Sequence, residues 1–188
     1  MQVQTKAGNV WTTIQTAMVT PGTLHQFNLP DRHINNTGLK KDGAYKVISD
    51  VPIIAYQFQP VNGQSSFSSD ASLLLPKSAL DKFYMVTGWG TNSAGAAQVV
   101  MVASEDNTVI KIKPTIATKA GGGINAIGAG QLTTLQTLNA GDFIQIDAAN
   151  NNSSFNGTEI TADKPISVFS ANWCANIPGL PACCCDHV

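Results

Sequence analysis

The sequence predicts an all-β protein built of β-sandwich-like units of antiparallel strands, with a propeller-like β repeat as the alternative architecture. Three observations carry this. Apolar residues alternate with polar ones instead of recurring every three or four positions. The runs are rich in β-branched and aromatic residues, while Gly, Asn, Asp and Pro fill the gaps between them. The runs are also short and closely spaced, which suits a sandwich or a barrel.

Taken in chain order, Val47 and then Ile53-Ile54-Ala55-Tyr56 flank a turn at Ser49-Asp50-Val51-Pro52. The stretch Lys77-Ser78-Ala79-Leu80-Asp81 after Pro76 is the one helical candidate, a single turn. Gln98-Val99-Val100-Met101-Val102-Ala103 reads as a buried strand ending at Ser104-Glu105-Asp106-Asn107. The next run, Thr108-Val109-Ile110-Lys111-Ile112-Lys113, alternates cleanly and stops at Pro114. Two such runs parted by a short polar turn predict a β-hairpin. Residues 132–138 give a Thr-rich strand, and Phe143-Ile144-Gln145-Ile146 follows the turn Asn139-Ala140-Gly141-Asp142. Thr158-Glu159-Ile160-Thr161 and Ile166-Ser167-Val168-Phe169 read as two strands parted by Ala162-Asp163-Lys164-Pro165. The glycine density of residues 117–130 predicts a mobile loop, but with no Gly-Lys-Ser/Thr ending and no following helix it is not a phosphate cradle.

Composition narrows the function classes. The 188 residues are 43% hydrophobic and only 12% charged, against about 25% charge in an ordinary globular domain. Ser, Thr, Asn, Gln and Gly must therefore supply the polar surface. A disordered acidic or basic chain is excluded. A net charge of -1 and a pI near 6.2 argue against nucleic acid or any other polyanion as partner. No apolar run reaches the roughly 18–20 residues of a membrane span. Met1-Gln2-Val3-Gln4-Thr5-Lys6 is not followed by an apolar segment, so no signal peptide is present in this stretch.

Sliding the chain along itself suggests an internal repeat of about 110 residues. Residues 43–53 lie over residues 157–166 with Pro52 on Pro165, and Val19-Thr20-Pro21-Gly22-Thr23-Leu24 lies over Leu138-Asn139-Ala140-Gly141-Asp142-Phe143. The expected organisation is the back half of one β unit at 1–62, a second unit at 63–173, and a Cys-rich segment at 174–188 leading into a further unit.

Reactive side chains concentrate in that last segment. Cys174 stands alone, while Cys183, Cys184 and Cys185 are consecutive and precede Asp186-His187. A disulfide between Cys174 and one of the three would close a short loop and stabilise by roughly 2–3 kcal/mol. Zinc bound by thiolates with His187 is the competing reading, though adjacent strand residues point oppositely and structural sites favour Cys-x2-Cys pairs. Free or intermolecular thiols are the third. No catalytic constellation emerges: Asp186-His187 has no serine partner, and the acidic residues are not paired as glycoside hydrolysis needs. His25, in a loop-flanked strand, and His33, in a polar loop, read as surface histidines. Ser104-Glu105-Asp106-Asn107 lacks the Asp-x-Asp-x-Asp-Gly spacing of a calcium loop and reads as a solvated turn. Trp11, Trp89 and Trp173 are either core anchors or carbohydrate platforms, and Asn35, Asn151, Asn152 and Asn156 satisfy Asn-x-Ser/Thr.

Several segments together resemble the N-terminal region of IgGFc-binding proteins, the mucus-associated Fc-binding protein of animals and its large bacterial relatives. The resemblance rests on Ser69-Asp70-Ala71-Ser72-Leu73-Leu74-Leu75-Pro76 with Ala79-Leu80 and Phe83-Tyr84. It continues in residues 100–114, in Leu138-Asn139-Ala140-Gly141-Asp142, in residues 158–170, and in Cys174 with Cys185-Asp186-His187. It implies a non-enzymatic binding or adhesion module of a larger secreted or surface-displayed protein, without a cofactor. It also implies Cys174–Cys185 as the disulfide, with Cys183 and Cys184 as extra residues and alternative partners. The expected ligand is a protein or a glycan at a surface, with Trp89 and Trp173 as candidate contact aromatics. The alternative is a carbohydrate-binding module appended to an enzyme.

Overall fold

The computed structural model describes residues 1–59, 70–88 and 96–172. It is all-β apart from a single 3-10 turn at Lys77–Ala79, where the sequence predicts one. The strands are β1 (Gln2–Ala7), β2 (Val10–Thr16), β3 (Gly38–Lys40), β4 (Tyr45–Ile48), β5 (Tyr56–Gln59), β6 (Asp70–Leu73), β7 (Asp81–Met85), β8 (Ala97–Ala103), β9 (Ile110–Lys113), β10 (Thr133–Thr134), β11 (Phe143–Asp147) and β12 (Glu159–Asn172). They form a three-stranded sheet β2-β1-β4, a two-stranded sheet β5-β6, and a seven-stranded sheet in the order β10-β9-β12-β8-β11-β3, with β7 also on β12. Every strand pair is antiparallel.

The large sheet is organised by β12, and here two expectations are corrected. The Ala162-Asp163-Lys164-Pro165 segment does not separate two strands; it lies inside one 14-residue strand. Nor do β8 and β9 form a hairpin. β9 lies antiparallel to the first part of β12 (Ile160 opposite Ile112) and β8 lies antiparallel to its second part (Val168 opposite Met101). Two strands each antiparallel to a third run in the same direction, so the polar segment between them is an excursion in one interrupted strand. Pro165, having no N–H, breaks the ladder at this level, and side chains take over. Asp163 Oδ1 accepts the Val109 N–H at 2.8 Å, Ser104 Oγ donates to the Pro165 carbonyl at 2.5 Å, and Lys164 Nζ donates to the Asp106 carbonyl. An apolar run, a polar stretch and a second alternating run look alike in either topology, because the period-two pattern carries no direction.

The core lies on one face of this sheet. Val99, Met101, Ile110, Ile112, Ile144, Ile146, Ile160 and Ile166 are all fully buried. Phe155, Leu138, Ile124 and Ile127 cover them from the connecting segments. The last two correct the expectation of a mobile glycine-rich loop. Ile124 and Ile127 are buried, Thr118 bridges to Ala148, and Gly121 and Ile124 exchange backbone hydrogen bonds at 2.9 and 2.7 Å. Gly122 sits there at φ +47°, and a Cβ on it would stand 2.5 Å from the Gly38 Cα. The glycines therefore permit a close backbone approach rather than freedom of movement. The Thr-rich strand expected at 132–138 shrinks to β10, although Leu135 and Leu138 continue alongside the chain with hydrogen bonds to Ile110 and Thr108.

Residues 1–59 are tied into this body. β1 and β2 form a hairpin through Gly8-Asn9, with Gly8 at φ +60°; the two-residue turn between alternating runs was a legible signal for it. Val3 is 1% exposed, and the chain around Asn28–Pro30 crosses the same face, accepting hydrogen bonds from Gln15 Nε2 (2.9 Å) and the Tyr45 hydroxyl. On the opposite face Lys46 Nζ stands 4.2 Å above the Trp11 ring, and Trp11 packs on Gly141. β3 pairs with β11 and so extends the large sheet.

Candidate functional site

The sequence nominated Trp89, Trp173, Cys174, Cys183, Cys184, Cys185, Asp186 and His187, and all of them lie outside the described residues. The remaining candidates are placed, and each has a structural role. Trp11 carries Lys46 Nζ over one ring face and meets Gly141 along its Cζ2–Cη2 edge. His25 is not in a strand; it meets Phe27 edge-to-face at 4.6 Å. The Ser104-Glu105-Asp106-Asn107 turn is occupied by ammonium groups. Lys6 Nζ lies 3.4 Å from Asp106 Oδ1, Lys77 Nζ lies 3.1 Å from Glu105, and Lys164 donates to the Asp106 carbonyl. The Ala140 N–H holds the Asp106 carboxyl below its ordinary pKa, and Lys6 adds to this. Among the described residues no cluster of His, Cys, Asp and Glu could hold a metal ion.

His33 forms a small polar clasp in the loop before β3. Its Nδ1 is 2.6 Å from Asp31 Oδ1 and its Nε2 is 2.8 Å from Asn35 Oδ1. The Asp31 carboxylate raises the His33 pKa, with Asn35 adding to the effect against desolvation. The backbone N–H of His33 in turn lowers the pKa of Asp31. The clasp is exposed and no nucleophile faces it, so it orders a loop and presents no base.

The site that the fold builds lies elsewhere, and the sequence reading did not nominate it. β7 follows β12 from Glu159 to Ile166 and then leaves it, because the 3-10 turn and Pro76 carry the preceding chain away at Asp81. Beyond Ile166, β12 continues to pair with β8 through Asn172. Across from this stretch lies the β5-β6 hairpin, which joins neither larger sheet. Between them is a groove of about 580 Å³ whose walls include Ser72, Leu73, Leu75, Met85, Val168 and Phe169.

None of the described residues lining the groove carries a formal charge. Its one phenol, that of Tyr84, already donates to the Ile166 carbonyl at 2.7 Å and accepts the Asp81 N–H. Ser72 is 7% exposed and its Oγ has no hydrogen-bond partner. The rim is apolar: Tyr56, Phe58, Leu73, Leu75, Phe83 and Met85 are each more than half exposed. Tyr56 and Leu73 are cross-strand partners, and the Tyr56 and Phe58 rings stand 6.3 Å apart. The described lining of apolar walls, hydroxyls and backbone can bind by burial and hydrogen bonding. The signal in the sequence was Leu73-Leu74-Leu75 in a chain of such low charge.

The family model described as "IgGFc binding protein" matches residues 70–188. The match begins at β6 and so takes in β6, β7 and β12, the elements around the groove. No curated protein and no solved structure matches the chain.

Proposed function

Because the chain belongs to the IgGFc-binding protein family, we propose that it is a non-enzymatic binding and adhesion module of a larger extracellular or cell-surface protein. The observation that carries this reading is the uncharged groove with its exposed apolar rim on β5, β6 and β7. Large exposed apolar patches rimmed by polar residues mark interaction sites, and the low overall charge suits a surface that meets a partner without electrostatic steering. The partner is a protein. The recurrence of the residues 43–53 pattern at 157–166 supports neighbouring repeats of the same polypeptide. Cys174 with Cys185 is the proposed disulfide, as the family pattern implies.

Two measurements test the reading. Immobilised on beads, the chain should adhere to surfaces displaying its host's extracellular proteins, and Phe58→Asp with Leu73→Asp should cut adhesion at least fivefold while leaving circular dichroism unchanged. Retention of full adhesion in that double variant would remove the rim from the argument. Intact mass of the natively exported protein before and after reduction reports the thiols, and four free cysteines would count against an extracellular module.

A further inference from the structure

The small sheet β2-β1-β4 matches part of the large sheet rung for rung. In the large sheet Ile112 of β9 lies between Thr133 of β10 and Ile160 of β12, and Lys111 lies between Thr134 and Thr161. In the small sheet Val3 of β1 lies between Gln15 of β2 and Val47 of β4, and Gln2 lies between Thr16 and Ile48. The next rung agrees as well. The Ala17 N–H donates to the Met1 carbonyl at 3.0 Å, as the Leu135 N–H does to the Ile110 carbonyl at 2.8 Å. Placing Val47 on Ile160 puts Pro52 on Pro165, the overlay that the residue pattern produces on its own. A slip of one residue would destroy this agreement between register and sequence. The two sheets differ at one place. In the large sheet the line of β9 is continued by β8, whose Val102 lies opposite Phe143 and whose Ala103 lies opposite Ile166. Flanking β8, Phe143 and Ile166 are 8% and 0% exposed. The overlay puts Leu24 on Phe143 and Ile53 on Ile166, yet these two are 93% and 37% exposed. Among the described residues no strand continues the line of β1.

From this difference we propose that the small sheet receives, on the line of β1 and between Leu24 and Ile53, an apolar alternating strand of the β8 type supplied by a neighbouring repeat of the same polypeptide. A repeat that cannot close its own core covers its apolar residues with its neighbour, and the rung-by-rung match identifies the covering element as a counterpart of β8. The chemistry follows β8 itself, which alternates buried and half-buried residues and carries no charge. Residues 17–24 and 51–58, which flank the line of β1 beyond Met1, are uncharged as well. A charged side chain facing Leu24 or Ile53 would therefore lose water without gaining a counterion. The added strand gains affinity through main-chain hydrogen bonds and selectivity through its alternate side chains. The proposal rests on the repeat organisation in the reading above and adds the element that one unit receives from the next.

The test uses the whole chain and a blocked peptide with the sequence of residues 97–107, whose Ser-Glu-Asp-Asn end favours solubility. Binding is read by fluorescence anisotropy, and its position by amide hydrogen exchange. The peptide should bind saturably and slow exchange in residues 17–24 and 53–55. A peptide of the same composition with the alternation scrambled should bind about tenfold more weakly. Leu24→Asp should also weaken binding about tenfold; because Leu24 is almost fully exposed, this variant is expected to fold. Val10→Asp is the control. Val10 is exposed on the same sheet but pairs with Ala7 at the far end of β1, so its replacement should leave the affinity unchanged. Joining a copy of residues 97–108 ahead of Met1 supplies the same strand within one chain; it should raise the thermal midpoint and give the same protection. Slowed exchange in residues 17–24 and 53–55 in either form supports the proposal. Its absence in both forms overturns it, as do protection confined to other residues and equal losses from Leu24→Asp and Val10→Asp. The adhesion measurement above reads the rim at Phe58 and Leu73, so the binding-module reading stands or falls separately.

Discussion

Thr37 and Asp147 hold each other reciprocally across 110 positions of chain. The Thr37 N–H donates to Asp147 Oδ2 at 3.0 Å, and the Asp147 N–H donates to Thr37 Oγ1 at 2.9 Å. Both residues are buried, at 2% and 3% exposure. At the other end of β11, Asp142 Oδ1 accepts the Asp42 N–H at 2.8 Å and Oδ2 accepts the Asn139 N–H at 2.9 Å. Two buried carboxylates flanking one strand thus fix both ends of the β3 segment. This is what fastens the N-terminal part of the chain to the sheet that carries the groove.

Asp147→Ala removes the acceptor of two buried donors, the Thr37 N–H and the Gln145 side-chain amide at 2.9 Å. Urea unfolding should show a loss of about 2–4 kcal/mol. Thr37→Val, which keeps the shape and leaves a single N–H without its acceptor, should cost about 1–2 kcal/mol. Burial raises the Asp147 pKa, against the lowering effect of Gln145, Thr37 and Lys119. A raised carboxyl pKa means the folded state favours the protonated form. Its contribution is therefore greatest below about pH 4 and declines as pH rises through the folded pKa. Asp147→Asn should abolish that part of the stability–pH slope, and an unchanged slope would refute the assignment.

Gly122→Ala should destabilise by about 2–4 kcal/mol, from a left-handed backbone and an overlap with the Gly38 Cα. The comparison is Gly130→Ala, also at positive φ but with open space around it; it should cost only the backbone strain, about 1 kcal/mol. Thermal denaturation of both variants separates close approach from conformational preference.

Lys6 is a nearly buried lysine, with Nζ 2.9 Å from the Ala140 carbonyl and 3.4 Å from Asp106. Lys6→Met keeps the aliphatic packing against the 139–142 turn and removes the ammonium. The expected loss is about 1–3 kcal/mol. It should be accompanied by faster amide exchange at Ala140, whose N–H is bonded to the same Asp106 carboxylate at 2.9 Å. Unchanged exchange there would show that Lys6 does not order the turn.

The His33 clasp should report pH. Its raised pKa makes the loop most stable below the unperturbed histidine value, about 6.5, and the advantage is lost as pH rises through the folded value. Asp31, with a lowered pKa, contributes above its ordinary range and loses that as pH falls through its folded value. Amide exchange across residues 31–35 should therefore be slowest, after correction for the intrinsic rate, between about pH 4 and 6.5. His33→Gln should abolish the upper limb of this profile and shrink the lower one, which keeps the His33 backbone N–H but loses the imidazole beside Asp31.

The strand content was legible because alternation and turn residues are local properties. β8, β9 and β11 and the turn at Lys77–Ala79 fall where the pattern puts them. The β8–β9 relation was misread because both a hairpin and an interrupted strand give the same alternation; the partner strand β12 decides between them, and it lies about 50 residues downstream. The 117–130 loop was misread because glycine permits mobility and close packing alike, and only the neighbouring Gly38 backbone selects the second.

By itself the sequence determined an all-β chain of low charge and of the IgGFc-binding family, because composition, period-two patterning and motif order need no knowledge of what touches what. Only the tertiary structure placed a groove on that chain. The groove exists because β7 ends at Asp81 while β12 runs on to Asn172, and a difference in where two paired strands stop is a non-local fact. The same low charge that marked the sequence then acquires a position: the described residues that line the groove carry no charge.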